Sequence, residues 1–198
     1  MGDFSQNGIV ANLHDFSIRS TEQIEKDLLK FSKERKLELI LPCLYSELEG
    51  DALPNIVNEI SKTKYLNHVI IGLDQANKAQ AKKAWKFFKK LKTPFSILWN
   101  DGPKLKKLDK ELKGIDLAPK QMGKGRNVWY CIGMAIARDE ARSVALHDCD
   151  IKTYDRRLLA KLFYPVENPL FNYEFCKGYY PRIADNKMHG RVARLLVN

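Results

Sequence analysis

Two periods of apolar spacing alternate along this chain. Ile24, Leu28, Leu29 and Phe31 fall at helical spacing within Thr21–Lys36, and Ser20 or Thr21 is placed to cap that helix. Leu37–Leu44 follows as a short apolar run, interrupted by Pro42 and long enough for a buried strand. Leu53–Lys62 predicts a second helix, His68–Leu73 a second buried strand, and Lys78–Leu91 a helix mixing lysines with Ala81, Ala84, Trp85, Phe88 and Leu91. Phe95–Trp99 is a third strand, closed by the turn Asn100-Asp101-Gly102-Pro103. A polar stretch then runs to Gln121, before Gly123-Lys124-Gly125 and an amphipathic helix over Asn127–Asp139 carrying Trp129, Ile132, Met134 and Ala135. Ser143–His147 is a fourth buried strand, running directly into Asp148-Cys149-Asp150. This alternation predicts βαβ units and an α/β fold, a mostly parallel sheet flanked by helices. Residues 1–36 are expected as an N-terminal helical extension and 37–198 as the domain proper.

Composition narrows the class. With 198 residues, 44% hydrophobic and 29% charged, the chain suits one soluble domain with a real core. No apolar run approaches the roughly 20 residues that span a bilayer, and Met1–Val10 does not read as a signal peptide, so a cytoplasmic protein is expected. The four cysteines (Cys43, Cys131, Cys149, Cys176) are scattered without a CxxC pair and are expected as buried, reduced thiols. The formal net charge of +10 favours anionic partners, among them nucleic acid, acidic membranes and phosphorylated small molecules. The lysines of the third helix read as its solvated face. Trp85, Phe87 and Phe88 are expected as core partners rather than base-stacking platforms, which argues against nucleic acid.

In open parallel sheets ligands bind beyond the carboxyl ends of the strands. Polar groups gather there: Ser46 and Glu47 after the first strand, Asp74 after the second, Asp148 and Asp150 after the fourth. Three strand ends are therefore expected to converge on one acidic site. Asp148 and Asp150, at i and i+2, are expected to project to one side, since side chains alternate along extended chain. Hard cations such as Mg²⁺ or Mn²⁺ take such oxygen ligands and bridge them to phosphates. A zinc site on His147 and Cys149 would need two further ligands, and none lies nearby at the usual spacing.

Gly123-Lys124-Gly125-Arg126 opens a helix, where glycines allow close backbone approach and the helix N-terminus favours an anion. Lys124 and Arg126 are read as adding mobile positive charge. The segment is not a Walker A loop, which argues against a P-loop nucleotidase. Further on, Lys177-Gly178-Tyr179-Tyr180-Pro181-Arg182 and Gly190-Arg191-Val192 set basic residues beside aromatics in Gly/Pro-rich chain, suited to a hydroxylated, anionic ligand.

From about Leu39 to Asn198 these ordered motifs resemble the glucosyl-3-phosphoglycerate synthase family of retaining glycosyltransferases. Leu41-Pro42-Cys43-Leu44-Tyr45-Ser46-Glu47 resembles its first-strand segment, and Gly123-Lys124-Gly125 with Trp129 its Gly-Lys-Gly turn and following helix. Asp148-Cys149-Asp150 stands where that family keeps its metal-binding Asp-x-Asp. Phe175–Arg182 and Gly190–Val192 resemble its acceptor-side segments. The resemblance implies a GT-A (Rossmann-like) fold, a nucleotide-sugar donor such as UDP-glucose, and a small phosphorylated or carboxylated acceptor such as 3-phosphoglycerate. By it, Pro42, Leu44, Glu47 and Asp74 border the nucleotide and Lys124 approaches it. Asp150 ligates Mg²⁺ or Mn²⁺ with Asp148 beside it, both acting in catalysis. Lys177, Tyr179, Arg182, Gly190, Arg191 and Val192 face the acceptor. Family members continue past the position of Asn198, so the chain is expected to lack the C-terminal part of the family domain and to be incomplete as a catalyst. A homodimer is left open. A nucleotidyltransferase also presents acidic metal ligands beside a Gly/Lys loop, but Pro42–Gly50 lacks the Gly-rich signature expected after its first strand. A basic nucleic-acid-binding module stands as the alternative outside enzymes.

Overall fold

A computed structural model describes residues 19–171 and 173–178, together with the backbone of two short strands at 182–184 and 187–189. The elements run α1 (Thr21–Phe31), β1 (Leu37–Leu44), a 3₁₀ turn (Tyr45–Glu49), α2 (Ala52–Ile60), β2 (His68–Asp74), α3 (Lys78–Phe88) and β3 (Phe95–Trp99). They continue with α4 (Pro103–Gly114), α5 (Lys124–Arg138), β4 (Ser143–Leu146), α6 (Arg156–Glu167), β5 (Arg182–Ala184) and β6 (Lys187–His189).

β1 to β4 form one parallel sheet in the order β3-β2-β1-β4, and β5 and β6 pair antiparallel as a separate ribbon. Alternation along the strands divides the core between two faces. Leu37, Leu39, Leu41 and Cys43 of β1, with Val69, Ile71 and Leu73 of β2, enter the larger core. There they meet Ile24 and Leu28 of α1, Ile56 and Ile60 of α2, Ala84 and Phe88 of α3, and Leu159 and Phe163 of α6. Ile40 and Ile70 point the other way and pack under Cys131 and Ala135 of α5. A sheet covered on both faces has continuously apolar inner strands, which is why β1 and β2 are legible as unbroken runs.

The helices differ from the expected pattern in ways with physical causes. α1 is capped by Ser20, whose side chain accepts from Gln23 N while Gln23 answers to Ser20 N, and it ends at Phe31 rather than Lys36. The polar stretch after Trp99 contains α4, which starts with Pro103 at its first position and buries Leu105 and Asp109. α6 has apolar positions at helical spacing but lies beyond the last element read from sequence. Trp85 corrects its expected role: it is 49% exposed, with the Lys89 ammonium 4.0 Å from its ring centroid. Phe88 is fully buried and Phe87 packs against the core. Cys43, Cys131 and Cys149 are buried and free, and Cys176 is half-buried and free. Among the described residues no helix is long and apolar enough to cross a membrane.

Candidate functional site at the carboxyl ends of the strands

Register brings the strand ends together. Leu44 lies opposite Asp74, and Asn100 N, just past β3, donates to Leu73 O at 2.8 Å. On the other side β4 stays paired with β1 only to Leu146 opposite Ile40, with His147 N donating to Ile40 O at 3.1 Å. Backbone groups of alternate residues point to the same neighbour, so Pro42, two residues after Ile40, faces the β4 side. Its missing N–H therefore falls where β4 has already left the ladder, which explains how a central strand tolerates proline. The opening beside Pro42 is where the Asp148–Asp150 turn departs.

Glu47 sits in the 3₁₀ turn that follows. Its Oε2 accepts from Leu44 N at 2.8 Å, holding the half-buried carboxylate against the end of β1. Burial pushes its pKa up, the nearby Asp150 carboxylate adds to the rise, and the Leu44 N–H and the Lys124 ammonium oppose it. Glu47 thus feels the charges of both Asp150 and Lys124. Lys124 also pairs directly with Asp148. Cys149 turns inward while Asp148 is half-exposed and Asp150 exposed, so the two aspartates share the outer side. Among the described residues Asp150 has no ion-pair partner. Asp74 is buried at the end of β2, its Oδ1 accepting from Gln75 N at 3.0 Å. His147 is buried, its Nδ1 3.0 Å from the Tyr154 hydroxyl, and burial lowers its pKa to about 4 despite the charge on Asp148. It is a neutral anchor for the strand exit.

α5 delivers Lys124. Its cap, Gly123, has φ 118° and ψ −165°, a conformation open to glycine alone. No side chain caps this end, so its first N–H groups stay available to an anion. Arg126 corrects its expected role. Rather than mobile charge it is a buried guanidinium, 3.1 Å from Asp109 Oδ1, which also accepts from the Tyr130 hydroxyl, while Lys113 lies 2.7 Å from Asp109 Oδ2. These donors, Lys113 first, hold the Asp109 carboxyl well below its ordinary 3.8, and burial raises the Tyr130 hydroxyl to about 12. The cluster ties α4 to the first turns of α5. Asp109→Asn is expected to cost about 2 kcal/mol in urea unfolding at neutral pH, the size of charged hydrogen bonds lost. A carboxyl with a depressed folded pKa stabilises above its unfolded pKa, so the gap between the two proteins should close as pH falls below 3.8. A gap independent of pH would contradict this.

Asn127, in the same first turns, donates from Nδ2 to Gly72 O at 2.7 Å. A Cβ on Gly72 would lie 1.8 Å from Asn127 Oδ1 and 2.5 Å from Cys131 Sγ. The absence of a side chain at 72 is what lets α5 lie this close to the sheet, with Lys124 over the strand ends.

A cavity of about 1310 Å³ runs along β4, the edge strand of the sheet among the described residues, to α6 and the segment 173–178. Lys124 and Asp148 line one part of it and Lys177 another, so one candidate from the acceptor-side segments opens onto the same space as the Lys124–Asp148 pair. Tyr179, Gly190, Arg191 and Val192 lie outside the described residues, as does the side chain of Arg182. One grouping was invisible in sequence. Cys43 Sγ, a Glu47 carboxylate oxygen and Cys149 Sγ all lie within 4.8 Å of one another. His147, the sequence candidate beside Cys149, is instead engaged by Tyr154.

No family model matches the chain. Among curated proteins, the glucosyl-3-phosphoglycerate synthase of Persephonella marina is 42% identical over 195 residues, 98% of this chain and 48% of its own length. That of Methanococcoides burtonii is 40% identical over 199 residues, again 98% of this chain and 48% of its own. Among solved structures, glucosyl-3-phosphoglycerate synthase from Mycobacterium tuberculosis, in complex with Mn²⁺, UDP and glucosyl-3-phosphoglycerate, aligns with a TM-score of 0.48 at 13% identity, covering 80% of this chain and 47% of that one. Across nearly its whole sequence the chain is thus homologous to glucosyl-3-phosphoglycerate synthases, and it spans about half the length of the curated relatives it matches.

Proposed function

We propose that this chain forms the donor-binding part of a retaining GT-A glycosyltransferase that moves glucose from UDP-glucose to 3-phosphoglycerate, with Mg²⁺ or Mn²⁺ as the cation. The reading is supported by 40–42% identity over 98% of the chain to proteins of that name. The observation that carries it in the structure is the Lys124–Asp148 pair, which joins the open N-terminus of α5 to the Asp-Cys-Asp turn beside Glu47.

The residues present fit a hard cation. Asp150 is an exposed carboxylate without an ion pair among the described residues, and burial, with the charge of Asp150 adding to it, raises the pKa of the nearby Glu47. Asp150 would hold the ion, with Asp148 beside it. When bound, such an ion supplies Lewis-acid neutralisation of charge on a departing diphosphate. The chain's own groups do the rest. Lys124 exchanges Asp148 for phosphate oxygens, and the free N–H groups of α5 add their dipole. Leu44 offers exposed apolar surface to the uridine, with the buried Pro42 shaping the strand end beside it and Asp74 and Glu47 at its polar edge. Lys177 meets the acceptor's phosphate across the cavity, with Tyr179, Arg182, Gly190, Arg191 and Val192 assigned to the same side. In this reading the acceptor hydroxyl attacks on the face the diphosphate leaves, so no protein nucleophile is required. Buried free cysteines suit a reducing, cytoplasmic setting.

Calorimetric titration of UDP, UDP-glucose and GDP-mannose, each with and without Mn²⁺, tests the reading. UDP and UDP-glucose should bind more tightly with Mn²⁺, and GDP-mannose should not compete. A chain folded by circular dichroism that ignores UDP in Mn²⁺ overturns it. Salt-steep binding to RNA or DNA by such a chain would favour the basic module instead.

A further inference from the structure

Cys43 is the last inward-facing residue of β1, and Cys149 is the buried residue between Asp148 and Asp150. The fold sets them side by side under the half-buried Glu47, although they belong to different motifs of the chain. We propose that Cys43, Glu47 and Cys149 form a second cation site, selective for thiophilic divalent ions of the zinc class and distinct from the oxygen-only ligands around Asp150.

The geometry is close to that of a tetrahedral site with one open position. The three ligand atoms already lie within 4.8 Å of one another. A tetrahedral ion with Zn–S and Zn–O bonds of about 2.3 and 2.1 Å sets its ligands about 3.6–3.8 Å apart, so gathering these three needs shifts of about 1 Å. Burial supports the same assignment. Both thiols are withdrawn from water, Cys43 at 0% exposure and Cys149 at 1%. The Cys43 thiol lies 3.3 Å from the Leu44 carbonyl and also contacts Glu47 and Cys149. Such surroundings penalise a bare thiolate and favour one bonded to a cation. As the two metal–sulfur bonds form, the two S–H protons leave to solvent, and the carboxylate of Glu47 completes a charge of −3 around the ion. Mg²⁺ and Mn²⁺ form weak bonds to sulfur and do not repay the loss of those protons, which gives the selectivity. Glu47 also caps Leu44 N, so filling this site pulls on the segment that, in the proposed function, borders the nucleotide.

Cadmium is the probe. The metal-free, phosphine-reduced protein is titrated with Cd²⁺ while the thiolate-to-cadmium charge-transfer absorption is followed. The band should saturate at one equivalent and survive excess Mg²⁺. Cys43→Ser and Cys149→Ser should each weaken binding by about 100-fold or more, beyond the roughly 10–100-fold that a merely supporting partner costs. Cys131→Ser and Cys176→Ser should leave it unchanged. Cadmium NMR of the unmutated protein gives an independent readout, a shift in the range of two sulfur ligands, should either serine variant fail to fold. Absence of the charge-transfer band, a band indifferent to both Cys43→Ser and Cys149→Ser, or an oxygen-only cadmium shift each overturns the proposal. Mn²⁺-dependent UDP binding is read separately, so the two sites fail or stand independently.

Discussion

Replacing Asp150 with alanine is expected to remove the whole Mn²⁺-dependent gain in UDP affinity, a loss of at least about 100-fold or about 2.8 kcal/mol. The carboxylate is exposed and unpaired among the described residues, so it contributes little to folding, and its removal should leave stability within about 0.5 kcal/mol. Loss of binding without loss of stability is the signature of a ligand rather than a structural residue. Without Mn²⁺ the variant should bind UDP no worse than the parent, because a negative charge facing the diphosphate has gone. Asp148→Ala should behave differently, since it also releases Lys124 from its ion pair. Isothermal titration of all three proteins with UDP, with and without Mn²⁺, separates these outcomes. An Asp150→Ala protein that keeps its Mn²⁺ response would remove Asp150 from the metal site.

The strands and the acidic strand ends were legible because both signals are local. A strand buried on both faces is written as an unbroken apolar run, as in β1 and β2 with Glu47 and Asp74 at their ends. β4 corrects the expectation of a fourth buried strand, since it is a sheet edge among the described residues with Val144 and Leu146 each 43% exposed, although Asp148 does follow it. Helix limits were less legible, because they depend on which face finds a partner. α5 begins at Lys124, three residues before its apolar pattern starts, since its first turn is fixed by Gly123 and by polar burial of Arg126 and Asn127. α4 was hidden for the same reason. Of its twelve residues only Leu105 and Asp109 are buried, and Asp109 is a charge whose partners lie on α5 and on its own helix. Arg126 carries the same formal charge as Lys124, and only the position of Asp109 distinguishes an anchored cation from a ligand-facing one. Trp85 erred in the opposite sense, an aromatic at core spacing whose side of α3 faces solvent. The Cys43–Glu47–Cys149 group joins two motifs through the pairing of β1 with β4, a relation no spacing rule contains.

The tightest glycine position among the described residues supplies the second large effect. Gly72→Ala is expected to destabilise the protein by about 4 kcal/mol, measured as a fall in the urea midpoint at unchanged slope. Overpacking a tight interior costs about 1–3 kcal/mol, and the added methyl group also drives Asn127 from the Gly72 carbonyl, leaving a buried amide unpaired for about 1–3 more. The cause is specific enough to test by coupling. Asn127→Ala alone should cost the lost hydrogen bond, but in the Gly72→Ala background it removes the atoms at 1.8 and 2.8 Å and leaves only Cys131 Sγ, at 2.5 Å. The double variant should therefore be more stable than the sum of the single effects by about 1–3 kcal/mol. Additive costs would mean that the methyl group is absorbed elsewhere and that Gly72 does not set the position of α5. Where Gly72→Ala remains folded, it should also weaken UDP binding, because α5 is what carries Lys124 to the strand ends. A variant with full stability loss but unchanged nucleotide affinity would separate the packing of this helix from the work of its first turn.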